Sequence, residues 1–485
     1  MKCRCAKSPW YAGPLLALSF AWLAGCAVGP NYERPTVNAP GTFRDQPAAT
    51  STSIADLNWW QVYQDAALQG LIREALANNY DLRIAVTRVE QARAVAMQAR
   101  SQFVPSVGYS GVISRGRNEL FDSPISNGGA TVNSASTTLN ALWEVDFWGR
   151  IRRLNESARA QFLATEEARR GVRLSLLSEV ATDYFRLLEL DQELEIASST
   201  TTSFAESLKI FTQRLNGGTG SALETSRAEA ALDDAAGAIP AIKEEITITE
   251  NELSILLGRN PGRIERTPTS FADMLPPQVP AGLPSALLER RPDVLESEQL
   301  LRSANAQVGE SVAEFFPRIG LTTFLGKISP QLSTFRQGAA NAWGVGADAT
   351  GPLFEGGRLV GQYRAAKAAR DAARLGYQQT VLNALGEVSD ALITRERLGE
   401  IRDQQAHEVT ALEQATRLST ERYRAGQASY YEVLEAQQEL FPAQLNLART
   451  QRDQLLNIVA LYKALGGGWQ EEAKSTGAFS EKKPQ

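Results

Sequence analysis

The stretch Arg422–Leu440 recurs upstream, at a constant offset of 208 residues, as Arg214–Leu232. Arg422, Gly426, Ser429, Glu432, Ala436 and Leu440 answer Arg214, Gly218, Ser221, Glu224, Ala228 and Leu232. In each copy a helical polar–apolar pattern runs into a Gly-containing break, after which a Ser opens a second helix. Each is the turn of a helical hairpin, and two turns this alike call for a duplicated architecture. The duplication extends well beyond the turns. Leu71–Gly108 aligns without a gap with Leu283–Gly320 at an offset of 212, pairing Leu76 with Leu288, Asp81 with Asp293, Ala92 with Ala304 and Pro105 with Pro317. Phe147–Arg150 answers Phe354–Arg358, and Leu257–Gly258 answers Leu465–Gly466. Both halves therefore read as short helix, helix, strand, loop, strand, very long helix, turn and long helix.

The long helices exceed what a globular core accommodates. Gly149 to about Leu215 contains no Pro, and at about 1.5 Å per residue it extends on the order of 100 Å. Gly356–Arg424 has the same reach. Val180, Tyr184, Leu187, Leu190, Leu194 and Ala197 follow steps of three and four, as do Leu445, Ala448, Leu455, Val459 and Tyr462 once Arg452 is allowed as a polar interruption. That is coiled-coil spacing, but the seams are diluted by Ala, Ser, Thr and Gln, which suits a large assembly better than an isolated dimer.

Between the helices lie alternating segments. From Ala135 to Phe147, the odd-numbered positions Thr137, Leu139, Ala141, Trp143, Val145 and Phe147 are mostly apolar, and the even ones mostly polar. Trp343, Val345, Ala347 and Ala349 alternate with Gly344, Gly346, Asp348 and Thr350, while Val107, Tyr109 and Ile113, and Ile319, Leu321 and Leu325, mark weaker first strands. Each pair brackets a loop, Arg115–Ser134 or Lys327–Asn341. Pro105 and Pro317 favour extended backbone just before each first strand. A half-buried soluble sheet shows the same alternation. If the chain crosses a membrane, however, it does so as a β-barrel, because no apolar run of spanning length follows the N-terminal region. Four strands cannot close a barrel, so several copies would have to share one.

The N-terminus bears on the compartment. Basic Met1–Lys7 precedes the apolar run Pro14–Gly25, which has signal-peptide proportions and is too short to span a bilayer. Leu23–Cys26 resembles a bacterial lipobox, in which cleavage precedes the Cys and its thiol is acylated; ordinary cleavage beside a bystander Cys26 is the alternative. Cys3, Cys5 and Cys26 are the only cysteines. A chain cut before Cys26 can form no internal disulfide and no Cys-based metal site. Losing Lys2, Arg4 and Lys7 with the signal takes the formal net charge from −5 to −8, which argues against nucleic acid as a partner.

Taken together, the lipobox, Gly29–Pro35, Leu257–Gly262, Arg422–Gly426 and Leu461–Trp469 make the chain resemble the TolC/OprM outer-membrane factor family, in its OprM/NodT-like lipoprotein branch. The resemblance covers nearly all of the mature chain. It implies an α+β membrane protein: a homotrimer whose 12-stranded outer-membrane barrel, four strands per chain, continues into a 12-helix periplasmic α-barrel with a mixed equatorial domain. The equatorial girdle would come from about Phe43–Asp65, Pro261–Pro284 and the tail after Gly466. The division expected is signal peptide 1–25, lipidated N-terminal and equatorial segment 26–66, first repeat 67–282, second repeat 283–466 and tail 467–485. Ala27 rather than Asp after Cys26 implies sorting to the outer membrane. Family members are exit ducts of tripartite efflux pumps, which implies a periplasmic membrane-fusion adaptor, an inner-membrane transporter of the RND type and outer-membrane lipid as partners, with no cofactor beyond the lipid on Cys26.

In this reading the two repeated turns are the periplasmic ends of the hairpins and hold the gate. Glu432 and Glu435 match the family's aperture acids, and Tyr431 stands at a position that is apolar in OprM. Tyr423 and Arg424 fall where the family has tip residues that latch the closed state, and Glu224 falls where their acidic partner sits; Ala428 replaces an arginine of that constellation. Rings of carboxylates around an axis would favour cations when open. The plainer alternative is that these are solvated charges near helix ends, with Arg214 and Arg422 compensating terminal carbonyls. An enzymatic reading has little support. His407 is the lone histidine, in a charged helical stretch, and neither a nucleophile elbow nor a phosphate-binding loop is present. A poreless periplasmic coiled-coil scaffold explains the helices and the anchor but not four matched alternating segments. A type I secretion duct shares the fold.

Overall fold

The computed structural model of the chain describes residues 27–37, 40–43, 53–117, 131–266, 286–329, 332–337 and 340–467. The expected signal peptide, Cys26, most of the tail after Gly466, and parts of the Phe43–Asp65 and Pro261–Pro284 stretches lie outside the described residues. The elements in order are α1 (Trp59–Val62), α2 (Ala66–Asn78), α3 (Tyr80–Ser101), β1 (Ser106–Arg117), β2 (Thr131–Val145), α4 (Arg150–Asn216), α5 (Ala222–Leu256), α6 (Leu287–Arg290), α7 (Pro292–Ala313), β3 (Arg318–Ser329), β4 (Asn341–Thr350), α8 (Arg358–Arg424) and α9 (Tyr430–Ala464). The order α2-α3-β1-β2-α4-α5 is repeated by α6-α7-β3-β4-α8-α9, as the duplication requires. α4 and α8 have 67 residues each and α5 and α9 have 35 each.

Element ends depart from expectation for identifiable reasons. β2 stops at Val145 rather than Phe147 because Asp146 turns to cap α4, accepting from the backbone N–H of Ile151 at 3.0 Å and of Arg152 at 2.9 Å. Helix α8 begins at Arg358 rather than Gly356 because Gly356 and Gly357 both hold positive φ, outside the right-handed helical region. Strand β3 runs two residues past Lys327, and a 3₁₀ turn at Leu332–Thr334 follows within the loop.

The chain divides into two compact units, the first drawn from Met1–Thr36, Val89–Thr165 and Ser297–Tyr377, the second from Val37–Arg88, Glu166–Glu296 and Gln378–Gln485. The first contains an antiparallel sheet of order β1-β2-β3-β4, in which β2 and β3 join the two repeats and β1 and β4 form the edges. Registers are continuous: Val107 faces Ala141, Val145 faces Ile319, and Ile319 faces Ala349. Val107, Tyr109, Ile113, Leu139, Leu325, Trp343 and Val345 are exposed, at odd-numbered positions and therefore on one face. Ser110 and Thr138 hydroxyls meet at 2.8 Å on the other face. An alternating strand normally sends its apolar face inward; here that face meets the surroundings. None of the described helices is long and apolar enough to cross a membrane.

The same unit holds the extended N-terminal segment against the helices. Arg153 donates to Asn31 Oδ1 at 2.8 Å, Asn305 donates to Pro30 O at 3.0 Å, and the Tyr32 hydroxyl donates to Glu298 Oε1 at 3.1 Å. Glu298, buried, also pairs with Arg34 at 2.9 Å and Arg302 at 2.7 Å. A buried carboxylate is tolerated only when its lone pairs are occupied in this way.

The second unit contains the main apolar core. Val180, Tyr184 and Leu187 of α4, all fully buried, pack with Leu455, Val459 and Tyr462 of α9 and with Phe43, Ile54, Trp59 and Tyr63. The helical steps of three and four thus correctly mark the buried seam. Each such Leu or Val contributes about 1.5–3 kcal/mol by burial. Arg452, the interruption in that seam, reaches buried Glu189 at 3.2 Å. Ile264 is buried in the same core, and beside it Arg266 clamps Asp191 at 2.5 Å and Glu250 at 2.6 Å.

Candidate functional site at the paired hairpin tips

Both tips belong to the second unit, and each closes by the same backbone device. The N–H of Thr219 donates to Arg214 O, and that of Gln427 to Arg422 O, both at 2.9 Å; the residue before each, Gly218 at φ +74° and Gly426 at φ +72°, takes the left-handed conformation that this closure needs. The first tip then starts α5 with a capping box: the Ser221 hydroxyl accepts from Leu223 N–H, and Glu224 Oε2 accepts from Ser221 N–H at 3.2 Å. At the second tip Ser429 precedes α9 without a side-chain cap.

The tips are held together by one apolar cluster. Phe204 and Phe211 from α4, Ala228, Ala231 and Ala235 from α5, and Tyr430, Val433 and Leu434 from α9 are all buried in it. Phe211 stands 3.7 Å from Tyr430 and 5.6 Å from Tyr423 between ring centroids, so three rings share the centre. The alanines arise from α5 spacing and let the aromatic side of α9 approach closely. Arg214 Nη1 donates to the Tyr423 hydroxyl and its guanidinium lies 5.0 Å from that ring centroid. Burial raises the Tyr423 phenol above its ordinary range, with Arg214 pulling the other way. Burial likewise raises Tyr430, whose hydroxyl is enclosed with no hydrogen-bond partner among the described residues.

The expected site residues separate into two groups. Tyr423 is in the cluster, but its partner is Arg214 and not Glu224, which is occupied at its own helix start. Arg424 is exposed and makes no ion pair or hydrogen bond within the chain among the described residues, so the Arg424–Glu224 contact implied by resemblance does not form within one chain. Arg422 forms the ion pair instead, with Glu432 at 3.4 Å. Arg214 and Arg422 are thus bridging residues, beyond any service to helix-end carbonyls. Glu435 is exposed, one turn beyond Glu432. Tyr431 is exposed with the Arg227 guanidinium 5.9 Å from its ring, and Leu223, its counterpart at the offset of 208, is exposed as well. Chemically, this surface offers carboxylates, guanidiniums and two apolar side chains around turns, with no group of metal-ligating side chains among the described residues. Such a surface can hold or release neighbours and can select by charge; it assembles no nucleophile with a base.

The sequence profile of the outer membrane efflux protein family matches twice, over residues 71–259 and 283–467. The probable efflux pump outer membrane protein TtgC of Pseudomonas putida is 34% identical over 464 residues, covering 94% of this chain and 96% of that protein. The cation efflux system protein CusC of Escherichia coli is 32% identical over 453 residues, covering 93% and 97%. Among solved structures, the open state of the Neisseria gonorrhoeae MtrE outer membrane channel superposes with a TM-score of 0.82 at 28% identity, covering 91% of this chain and 98% of that one.

Proposed function

Because the chain belongs to the outer membrane efflux protein family, we propose that three copies close one 12-stranded barrel and a 12-helix duct, forming the exit channel of a tripartite pump fed through a periplasmic adaptor by an RND-type transporter. The protein is an outer-membrane efflux channel, a transporter and not an enzyme. The observation that carries the finer reading is the sheet. It has four strands, two unpaired edges and an exposed apolar row, and each of these is a liability in a lone chain. Closing the ring with further copies removes the edges and turns the apolar row to lipid. Purified protein in planar bilayers should therefore conduct as a trimer; monomers that pass no current would overturn the reading.

The tips supply the aperture. Exposed Glu435 and half-buried Glu432, repeated around an axis, form acidic rings that concentrate cations. Glu435→Gln, which removes charge and keeps shape, should lower the cation-to-anion permeability ratio by roughly twofold or more, read from reversal potentials in a salt gradient. A ratio equal to that of the parent protein would place Glu435 off the conduction path. Arg424, without a partner among the described residues of its own chain, is available to a neighbouring copy as a latch.

Lipid on Cys26 is supported by its neighbour. Ala27 packs so closely on Gly149 that a Cβ there would lie 2.7 Å from its Cα, and Val28 N–H donates to Trp148 O at 3.0 Å. The residue after Cys26 is thus fastened where β2 gives way to α4, at the rim of the sheet. An acyl chain attached there would reach the bilayer that the sheet crosses. Cys26→Ala should abolish labelling by an alkyne palmitate analogue; retained label would move the modification elsewhere.

A further inference from the structure

The aromatic side chains of the sheet do not all share one face. Tyr109, Trp143 and Trp343 stand at odd-numbered positions, whereas Phe324 stands at an even one, with Ser110, Thr138, Asn140, Thr322 and Gly326. The ladders keep that parity across the sheet, placing Asn140 opposite Phe324 and Phe324 opposite Gly344. Phe324 is therefore the one aromatic residue that the described strands place on the polar face. Its ring occupies space released by a glycine, since a Cβ on Gly344 would lie 2.5 Å from Phe324 Cε1. The duplication does not require this pairing: the equivalent pair in repeat one is Val112 opposite Ser136. Phe324 is half-buried, so its ring is both seated against β4 and reachable from that face.

The same face carries one uncompensated charge. Glu144 and Arg318 are paired there, with Arg150 at 2.8 Å and Glu314 at 2.7 Å. Asp348 is exposed and makes no ion pair or hydrogen bond among the described residues; its Oδ1 occupies the space over Gly320, 2.6 Å from where a Cβ would stand. We propose that Phe324 contacts cargo in transit, binding aromatic and lipophilic cations on the barrel wall, with Asp348 favouring positive charge. This rests on the closed-barrel reading, which sends the odd-numbered apolar row to lipid and turns the polar face to the channel, and it adds a cargo class and the residue that takes it. The chemistry follows from the neighbours. The face of an aromatic ring attracts both a cation and a second ring, whereas the hydroxyls and glycines around Phe324 attract neither in water. Asp348, on β4 four residues beyond Gly344 and so about 13 Å along the strand, acts on charge rather than on shape. A ring over a cross-strand glycine also stabilises a sheet by covering bare backbone, so the test must separate covering Gly344 from meeting cargo.

Block of single-channel current in planar bilayers makes that separation, with tetraphenylphosphonium as a cation that carries rings and tetraethylammonium as one that does not. Phe324→Leu still covers Gly344 but has no ring. It should weaken tetraphenylphosphonium block about fivefold and leave tetraethylammonium block as in the parent protein. Phe324→Tyr keeps the ring and should block like the parent. Asp348→Asn should weaken block by both cations about twofold at low salt, and less at high salt. Unchanged tetraphenylphosphonium block in Phe324→Leu would overturn the proposal and leave the ring as a cover for Gly344. An equal loss of block by both cations in Phe324→Leu would overturn it too, because the pore and not the ring would then have changed. A parent protein that passes no current would instead overturn the closed-barrel reading.

Discussion

Replacing Phe211 with alanine is expected to raise single-channel conductance in planar bilayers roughly twofold or more and to broaden its distribution. Phe211 is buried between Tyr430 and Tyr423, at the centre of the apolar cluster through which the first tip grips the second. Truncating a buried Phe removes about 3–5 kcal/mol of packing, since the cavity collapses only in part. An exposed ion pair such as Arg422–Glu432, both partners more than two-fifths exposed, contributes about 0–1 kcal/mol. Arg422–Glu432 joins α8 to α9 within the second hairpin, so it is the ring cluster, with Arg214 on Tyr423, that holds the second hairpin to the first. Loss of about 3 kcal/mol changes a two-state ratio by more than a hundredfold, enough to convert rare separations of the tips into the common state. Arg422→Ala should move conductance far less, and what change it makes should fade in high salt. If Phe211→Ala conducts like the parent while Arg422→Ala opens the channel, charge rather than packing governs the tips.

Much of this arrangement is legible in the residues, and the rest is hidden for a definite reason. Repeated turns, Pro-free runs and period-two segments are local signals, and they recover the element order, the four strands and the buried seam from Val180 to Ala197. The glycines of the tips are visible because a left-handed residue after a helix has few other solutions. What stays hidden are pairings between residues more than two hundred positions apart. Arg214 meets Tyr423, and Arg449 and Arg452 meet Glu193 and Glu189; nothing in the spacing of either helix names the other. Glu189 and Glu193, four apart in a charged run, look like one solvated face, although both are buried. Arg452 gave the one available hint, as a cation in an apolar seam. Resemblance, for its part, points to Arg424 and Glu224 at the tip, where the chain itself uses Arg422 with Glu432 and Arg214 with Tyr423.

That buried carboxylate pair makes the second large effect a pH-dependent one. Arg452→Met should lower the thermal midpoint of the purified protein by several degrees at pH 8.5 and by much less at pH 5.5. Glu189 is enclosed beside Glu193, facing Arg449 and Arg452 of α9, with Arg449 2.7 Å from Glu193. Burial, then the neighbouring Glu193, pushes the Glu189 carboxyl up to about 7 from an ordinary 4.5, against the pull of both arginines. A carboxyl whose folded pKa lies above its unfolded one binds more protons in the folded state. Its contribution to stability is therefore complete below about 4.5 and is lost as pH rises toward 7. Removing Arg452 takes away one of the two cations that make the ionised form tolerable and carries the folded pKa higher still. At pH 5.5 the protonated carboxyl hardly registers the loss. At pH 8.5 the fold must either hold an under-compensated buried charge, worth about 3–5 kcal/mol when a partner is removed, or take up a proton against the solvent. Methionine keeps the apolar stem of Arg452 in the seam, so packing alone would depress the midpoint equally at both pH values; that outcome would reduce the pair to a spacer between α4 and α9.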